Sequence, residues 1–171
     1  MGDPRRIKKK YQKPKHPWRA DRLEEEKKIL KTYGLKNKKE IWRAETLTRR
    51  FRRQARKLFA LRTEQAKKEE KQLLDRLRRL NLLRGDATLD DALALKTEDI
   101  LGRRLQTIVF KKGLARTVNQ ARQFIVHRHI SVKGEKVTAP SYLVMADEED
   151  KIQVAQGIEK PAERLEVKAE G

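Results

Sequence analysis

Two hydrophobic rhythms run along this chain. Up to residue 129 the apolar side chains recur every three to four positions, as on one face of a helix; beyond it they alternate, as on a strand. Asp21 to Tyr33 reads as a first helix, with Leu23, Ile29, Leu30 and Tyr33 on one stripe and Gly34 placed to terminate it. Asn37, followed three residues later by Glu40, is a capping pattern. It opens a second helix whose Ile41, Leu47, Phe51, Ala55, Leu58 and Phe59 fall on one side. A third spans Thr63 to Leu83 around Leu73, Leu74, Leu77 and Leu80, with Gly85 past its end. The piece Asp86–Asp99 carries a cap-like Thr88 to Asp91 and predicts a short helix at a junction. Next comes a helix starting at Thr97 or Asp99, with Leu101, Leu105, Ile108 and Val109 apolar and Gly113 at its close. Thr117 and Gln120 form a capping box for another, on which Val118, Ala121 and Ile125 lie within about 60° of one another. Then Ile130 and Val132, a Lys133-Gly134 turn, Lys136-Val137, residues 140–144 and Ile152 with Val154 read as short extended segments.

The pattern predicts an α+β protein. A helical N-terminal region precedes a small module of two to three helices packed on a short, mostly antiparallel β-sheet. The expected divisions are an extended basic arm over 1–17, a helical region over 18–98, the module over 99–155 and an acidic tail over 156–171. The arm has seven Lys or Arg, three prolines and almost nothing apolar, so it is expected to be disordered until it meets a partner. Tyr11 and Trp18 are its aromatic residues. They read either as stacking surfaces for bases or, for Trp18, as the first residue of the core.

Charge changes the picture most. Among 171 residues, 44 Lys and Arg face 25 Asp and Glu, a net of +19. Residues 1–85 hold 30 basic and 11 acidic side chains, and 101–144 hold nine and one; the stretches 86–100 and 145–171 are each net −4. Two cationic blocks are thus separated and closed by acidic ones, far more charge than solubility needs. Such blocks call for a polyanion, and nucleic acid is the ordinary one. Cysteine is absent, which excludes disulfides, thiolate metal sites and cysteine nucleophiles. The longest uncharged run is the ten residues Val137–Ala146, about half a membrane span, and no apolar segment follows the basic N-terminus as in a secretory signal. An intracellular address is expected.

Candidate contacts follow from chemistry. Arg49, Arg50, Arg52, Arg53, Arg56 and Lys57 are six cations within nine residues, and Arg43 lies before them on the same helix. In the module the candidates are Arg103, Arg104, Lys111, Lys112, Arg116, Asn119, Gln120, Arg122, Gln123 and Arg128; Lys8, Lys9 and Lys10 belong to the arm. Guanidinium forks suit phosphates and amides suit ribose hydroxyls, which is how duplex RNA is held when its deep groove excludes side chains. A plainly solvated face is the other reading, and Arg122, beside the apolar stripe, fits a structural role equally. His127-x-His129 without cysteine or carboxylate partners is a poor metal site. No Ser/His/Asp order, buried carboxylate pair or phosphate-binding glycine loop appears, so no enzyme, cofactor or small-molecule substrate is expected.

Residues 103–144 carry a combination specific enough to name: Arg103-Arg104-Leu105-Gln106, a K-x-G-L-A turn ending at Ala115, T-x-x-x-A-R-x-x-I from Thr117 to Ile125, H-I-x-V from His129, and P-S-x-x-V from Pro140. This stretch resembles the RNA-binding module of small-subunit ribosomal protein S-four and its relatives. Tyr33 to Arg43 resembles the archaeal and eukaryotic branch of that family, so the likeness spans roughly residues 1–155. The resemblance implies a cytoplasmic, ribosomal protein that binds small-subunit ribosomal RNA in its 5′ domain and nucleates assembly. It also implies a place near where messenger RNA enters, an S-five-type neighbour and an influence on decoding accuracy. Two departures stand out. Many bacterial members have glycine before the His-Ile pair where this chain has Arg128, so the backbone is expected to lose a positive-φ option there. The cysteine zinc site of some bacterial members is missing. The alternatives are a free-standing RNA chaperone, an RNA-modifying enzyme and a DNA-compacting protein. The matched N-terminal half argues against the first, and residues 1–96 are too helical and basic for the catalytic domain of the second; the third would show little preference for folded RNA.

Overall fold

The computed structural model describes residues 9–61 and 63–155. Helix α1, Ala20–Thr32, closes through Gly34 at φ 55°, which lets the Leu35 N–H reach the Leu30 carbonyl at 3.0 Å. Helix α2, Lys38–Phe59, buries Ile41, Ala44, Phe51, Ala55 and Leu58. Its predicted capping pattern is not used: Asn37 makes no side-chain cap, and Glu40 points elsewhere. Helix α3, Glu64–Arg79, begins with Thr63 accepting the Ala66 N–H at 3.2 Å. It stops before the expected Leu83 because Asn81 takes φ 51° and the Leu82 N–H turns back to the Leu77 carbonyl. Asn is among the few non-glycine residues that visit this region readily, and Gly85 has no part in the stop.

Two short helices follow, α4 at Leu89–Ala94 and α5 at Thr97–Gly102, their starts held by Asp91 on the Thr88 N–H (2.8 Å) and Asp99 on the Lys96 N–H (2.7 Å). The single helix predicted from residue 97 or 99 to 113 is in fact two, because α6 begins afresh at Leu105–Lys111. Between them the chain meets a distant segment: the Val144 N–H donates to the Arg103 carbonyl, and the Leu105 N–H to the Tyr142 carbonyl at 2.8 Å. Residues some forty positions away thus satisfy groups that a continuous helix would have used. Gly113 at φ 70° closes α6, and Thr117 caps α7, Val118–Val126, as expected.

Strands β1 (Ile130–Val132) and β2 (Glu135–Lys136) form a hairpin whose turn, Lys133 at φ 53° and Gly134 at φ 86°, is the one predicted. After α8, Ala146–Glu149, strand β3 (Ile152–Val154) returns beside β1, giving an antiparallel sheet in the order β2-β1-β3 with Ile130 opposite Val154 and Val132 opposite Ile152. Residues 140–144 stay outside this sheet, joined to Arg104 by one bridge at Leu143. Arg128 corrects an expectation: it takes φ 64° itself, and the His129 N–H closes α7 onto Phe124 at 2.9 Å. Arginine occupies the left-handed position at a cost of about 1–2 kcal/mol.

Two apolar cores result. One is built from α1–α5 around Ile41, Leu77 and Leu101; the other from α6, α7 and the sheet around Leu105, Ile108, Ile125 and Ile130. The break at Arg103-Arg104 falls between them.

Candidate RNA interface

Helix α2 is 22 residues long, about 33 Å, and its outward side is cationic. Arg43, Arg50 and Lys57 recur every seven residues, so they lie nearly in line about 10 Å apart, and Arg53 sits about 60° to one side. With Arg56, all are exposed, and none forms an ion pair among the described residues. Two predicted neighbours are occupied otherwise. Arg52 donates to the Leu95 carbonyl, tying α2 to the end of α4, and Arg49 reaches Gln12 at 2.7 Å and, more loosely, Glu45.

The junction behaves in the opposite way. Glu40 receives Arg104 Nη2 at 2.5 Å and Arg122 Nη2 at 2.9 Å, closing one carboxylate on guanidinium groups 64 and 82 residues away. Arg104 is only 5% exposed. Burial alone would push the Glu40 carboxyl up, but the hydrogen bonds and charges of Arg122 and Arg104 hold it below its ordinary value. Burial also works against the charge of Arg104, yet a guanidinium stays protonated at any physiological pH, so the cluster is ionic. Beside it the fully buried Gln106 amide donates to the carbonyls of Gly34 (2.9 Å) and Val118 (3.0 Å). Gly34 is one close approach of the halves: an added Cβ would stand 2.9 Å from both Asn119 Oδ1 and Val118 Cγ1.

The remaining module cations divide. Arg103 pairs with Glu149 at 2.7 Å and donates to the Val144 carbonyl; Lys112 donates to the Glu149 carbonyl and pairs with Asp150 at 3.3 Å. Gln120 accepts the Arg116 N–H at 2.7 Å. Arg116, Asn119, Gln123 and Arg128 are exposed on and around α7, forming an open polar face; Lys111 is exposed too, but on α6, where it lines a concavity with Glu98, Asp99 and Glu149. Lys9 and Lys10 are exposed, Lys9 lying 4.8 Å over the Tyr11 ring, while Lys8 and the acidic tail lie outside the described residues. Residues 11 and 12 have a seat of their own. Tyr11 lies 6.0 Å from Trp42, and the Gln12 N–H donates to Thr46 Oγ1 at 3.0 Å. Trp18 is 86% exposed and outside the core. Among the described residues no group of three or more His, Cys, Asp or Glu is arranged to hold a metal.

Residues 103–150 match the family model of the S4 domain, and residues 5–102 match that of the ribosomal protein S4/S9 N-terminal domain. The chain is 53% identical over 152 residues to small ribosomal subunit protein uS4 of Methanothermobacter thermautotrophicus, covering 89% of each chain. It is 58% identical over 153 residues to that of Methanococcus aeolicus, with 89% and 86% covered, and 53% identical over 166 residues to that of Hyperthermus butylicus, with 97% and 94% covered. The chain belongs to the uS4 family. The two family matches meet between Gly102 and Arg103, at the helix break that divides the two cores.

The cations of this chain are legible in its sequence; the acid that sorts them is not. Glu40 carries a signal, its spacing from Asn37, that points to a cap. Glu26 carries a quieter one, its place on the stripe of Leu23, Ile29 and Leu30. It is 4% exposed there, accepts Trp42 Nε1 at 2.9 Å and pairs with Arg22 and Lys38.

Proposed function

We propose that this uS4 family member is a structural, non-enzymatic protein of the small ribosomal subunit that binds the 5′ domain of its RNA directly through two faces held at a fixed angle. Residues 18–98 supply the α2 row, Arg43, Arg50 and Lys57 with Arg53 beside it, and Arg56 farther round the same helix. Residues 99–155 supply Arg116, Asn119, Gln123 and Arg128, with Lys111 apart from them on α6 and with the free N–H groups at the start of α7 available to a phosphate. Arg104 and Arg122 set the angle between the faces. On this reading the protein acts early in assembly, sits in the cytoplasmic ribosome beside an S-five-type neighbour near where messenger RNA enters, and influences decoding from there.

The observation that carries the reading is the unpaired cation row on one long helix. Acids elsewhere in the chain do find cations, at Glu40, Glu45 and Glu149, and leave this row open. Binding to a transcript of the 5′ domain tests it. With six to ten phosphate contacts, raising salt from 50 to 200 mM weakens binding by about 10³–10⁵-fold. A flat salt response, or equal affinity for duplex DNA, would contradict it; the latter would favour a DNA-compacting role.

A further inference from the structure

Tryptophan is highly buried on average, and Trp18 is 86% exposed. Its surroundings explain the placement better than chance does. From Lys9 to Ala20 there are five Lys or Arg and no acid. Of these, Arg19 meets Asp21 only at 3.8 Å with both side chains largely exposed, an ion pair worth little. The segment is also held at both ends. Upstream, Gln12 is fixed to α2 by Thr46 and Arg49; downstream, α1 begins at Ala20. The seven residues between include Pro14 and Pro17, whose rings fix φ and shorten the list of conformations. An indole presented this way loses little freedom on binding.

We propose that Trp18 is a stacking platform for an unpaired nucleobase of the RNA, with Lys15 and Arg19 on the phosphates that flank it. An indole face suits any base, and stacking on aromatic side chains is the ordinary way single-stranded RNA is held. Arg49, which anchors the segment, belongs to α2, so the segment is seated on the same helix that carries the cation row. The platform rests on the RNA-binding reading above.

The chain has two tryptophans, and the other, Trp42, is half-buried with its Nε1 on Glu26, so emission reports on Trp18 against a shielded reference. The full chain is titrated with the 5′-domain transcript while tryptophan emission and affinity are both followed. Stacking quenches the emission, and Trp18→Phe removes the quench while retaining affinity within about threefold. Trp18→Ala weakens binding by about 5- to 150-fold, the worth of one stacked base. Undiminished affinity of Trp18→Ala together with unquenched wild-type emission overturns the platform and leaves the RNA-binding reading standing. Failure of the wild-type chain to bind the transcript overturns both.

Discussion

The outward face of α2 and the junction around Glu40 are both rich in arginine, and they differ in everything that arginine does there. On α2 the guanidinium groups stand in solvent without acids, so they contribute nothing to the fold and repel one another. At the junction Arg104 and Arg122 converge on one carboxylate and hold two cores together. What separates the two cases is whether an acid from a distant part of the chain arrives beside the cation. The difference also assigns work: a cation already neutralised at short range is a poor phosphate ligand, and an unpaired one is a poor strut.

Removing the strut has the largest expected effect. Glu40→Ala leaves Arg104 buried and unpaired, and the cost expected from urea unfolding is about 3–5 kcal/mol. Pairing it with Arg104→Ala in a double-mutant cycle shows a coupling of about 1–3 kcal/mol, and additive costs would mean the pair does not hold the halves. The same carboxylate gives a pH signature. Because its folded value lies below the ordinary 4.5, its contribution is complete above that pH and is lost as pH falls through the folded value. Glu40→Gln therefore flattens the acid limb of the stability curve; an unchanged limb would leave Glu26 and Glu148, also held low against their burial, as its source.

Gly34→Ala comes next, at about 2 kcal/mol, since it combines a left-handed backbone with a collision at the seam. A cost near zero would show that the halves separate easily. Arg128→Gly runs the other way. It relieves the φ of 64° and raises stability by about 1 kcal/mol in the same urea measurement, while removing one exposed cation.

Much of the fold is readable in the sequence, and the boundary is instructive. Helices α1, α2 and α7 and the Lys133-Gly134 hairpin declare themselves through period, caps and glycines, all within one or two turns of sequence. The break at Arg103-Arg104 does not, because it exists only where residues 142–144 come alongside. The roles of Arg103 and Arg104 are equally illegible, and that of Arg122, beside the apolar stripe, is legible only as an even choice between strut and ligand. Cations near a basic block read as ligands, and the acids that claim them lie 46, 64 and 82 residues away. Arg128 misleads for another reason: a missing glycine suggests a missing conformation, when the backbone closure at Phe124 imposes it regardless.

The most direct test sets the two arginine groups against each other in the salt dependence of binding to the 5′-domain transcript. Changing Arg50, Arg53 and Lys57 together to Gln is expected to lower the slope of log K against log salt by about 2–3 while stability stays within about 0.5 kcal/mol. Arg104→Gln is expected to do the reverse, losing stability and keeping the slope. A slope that falls with Arg104 and ignores the α2 triple would contradict the division of labour.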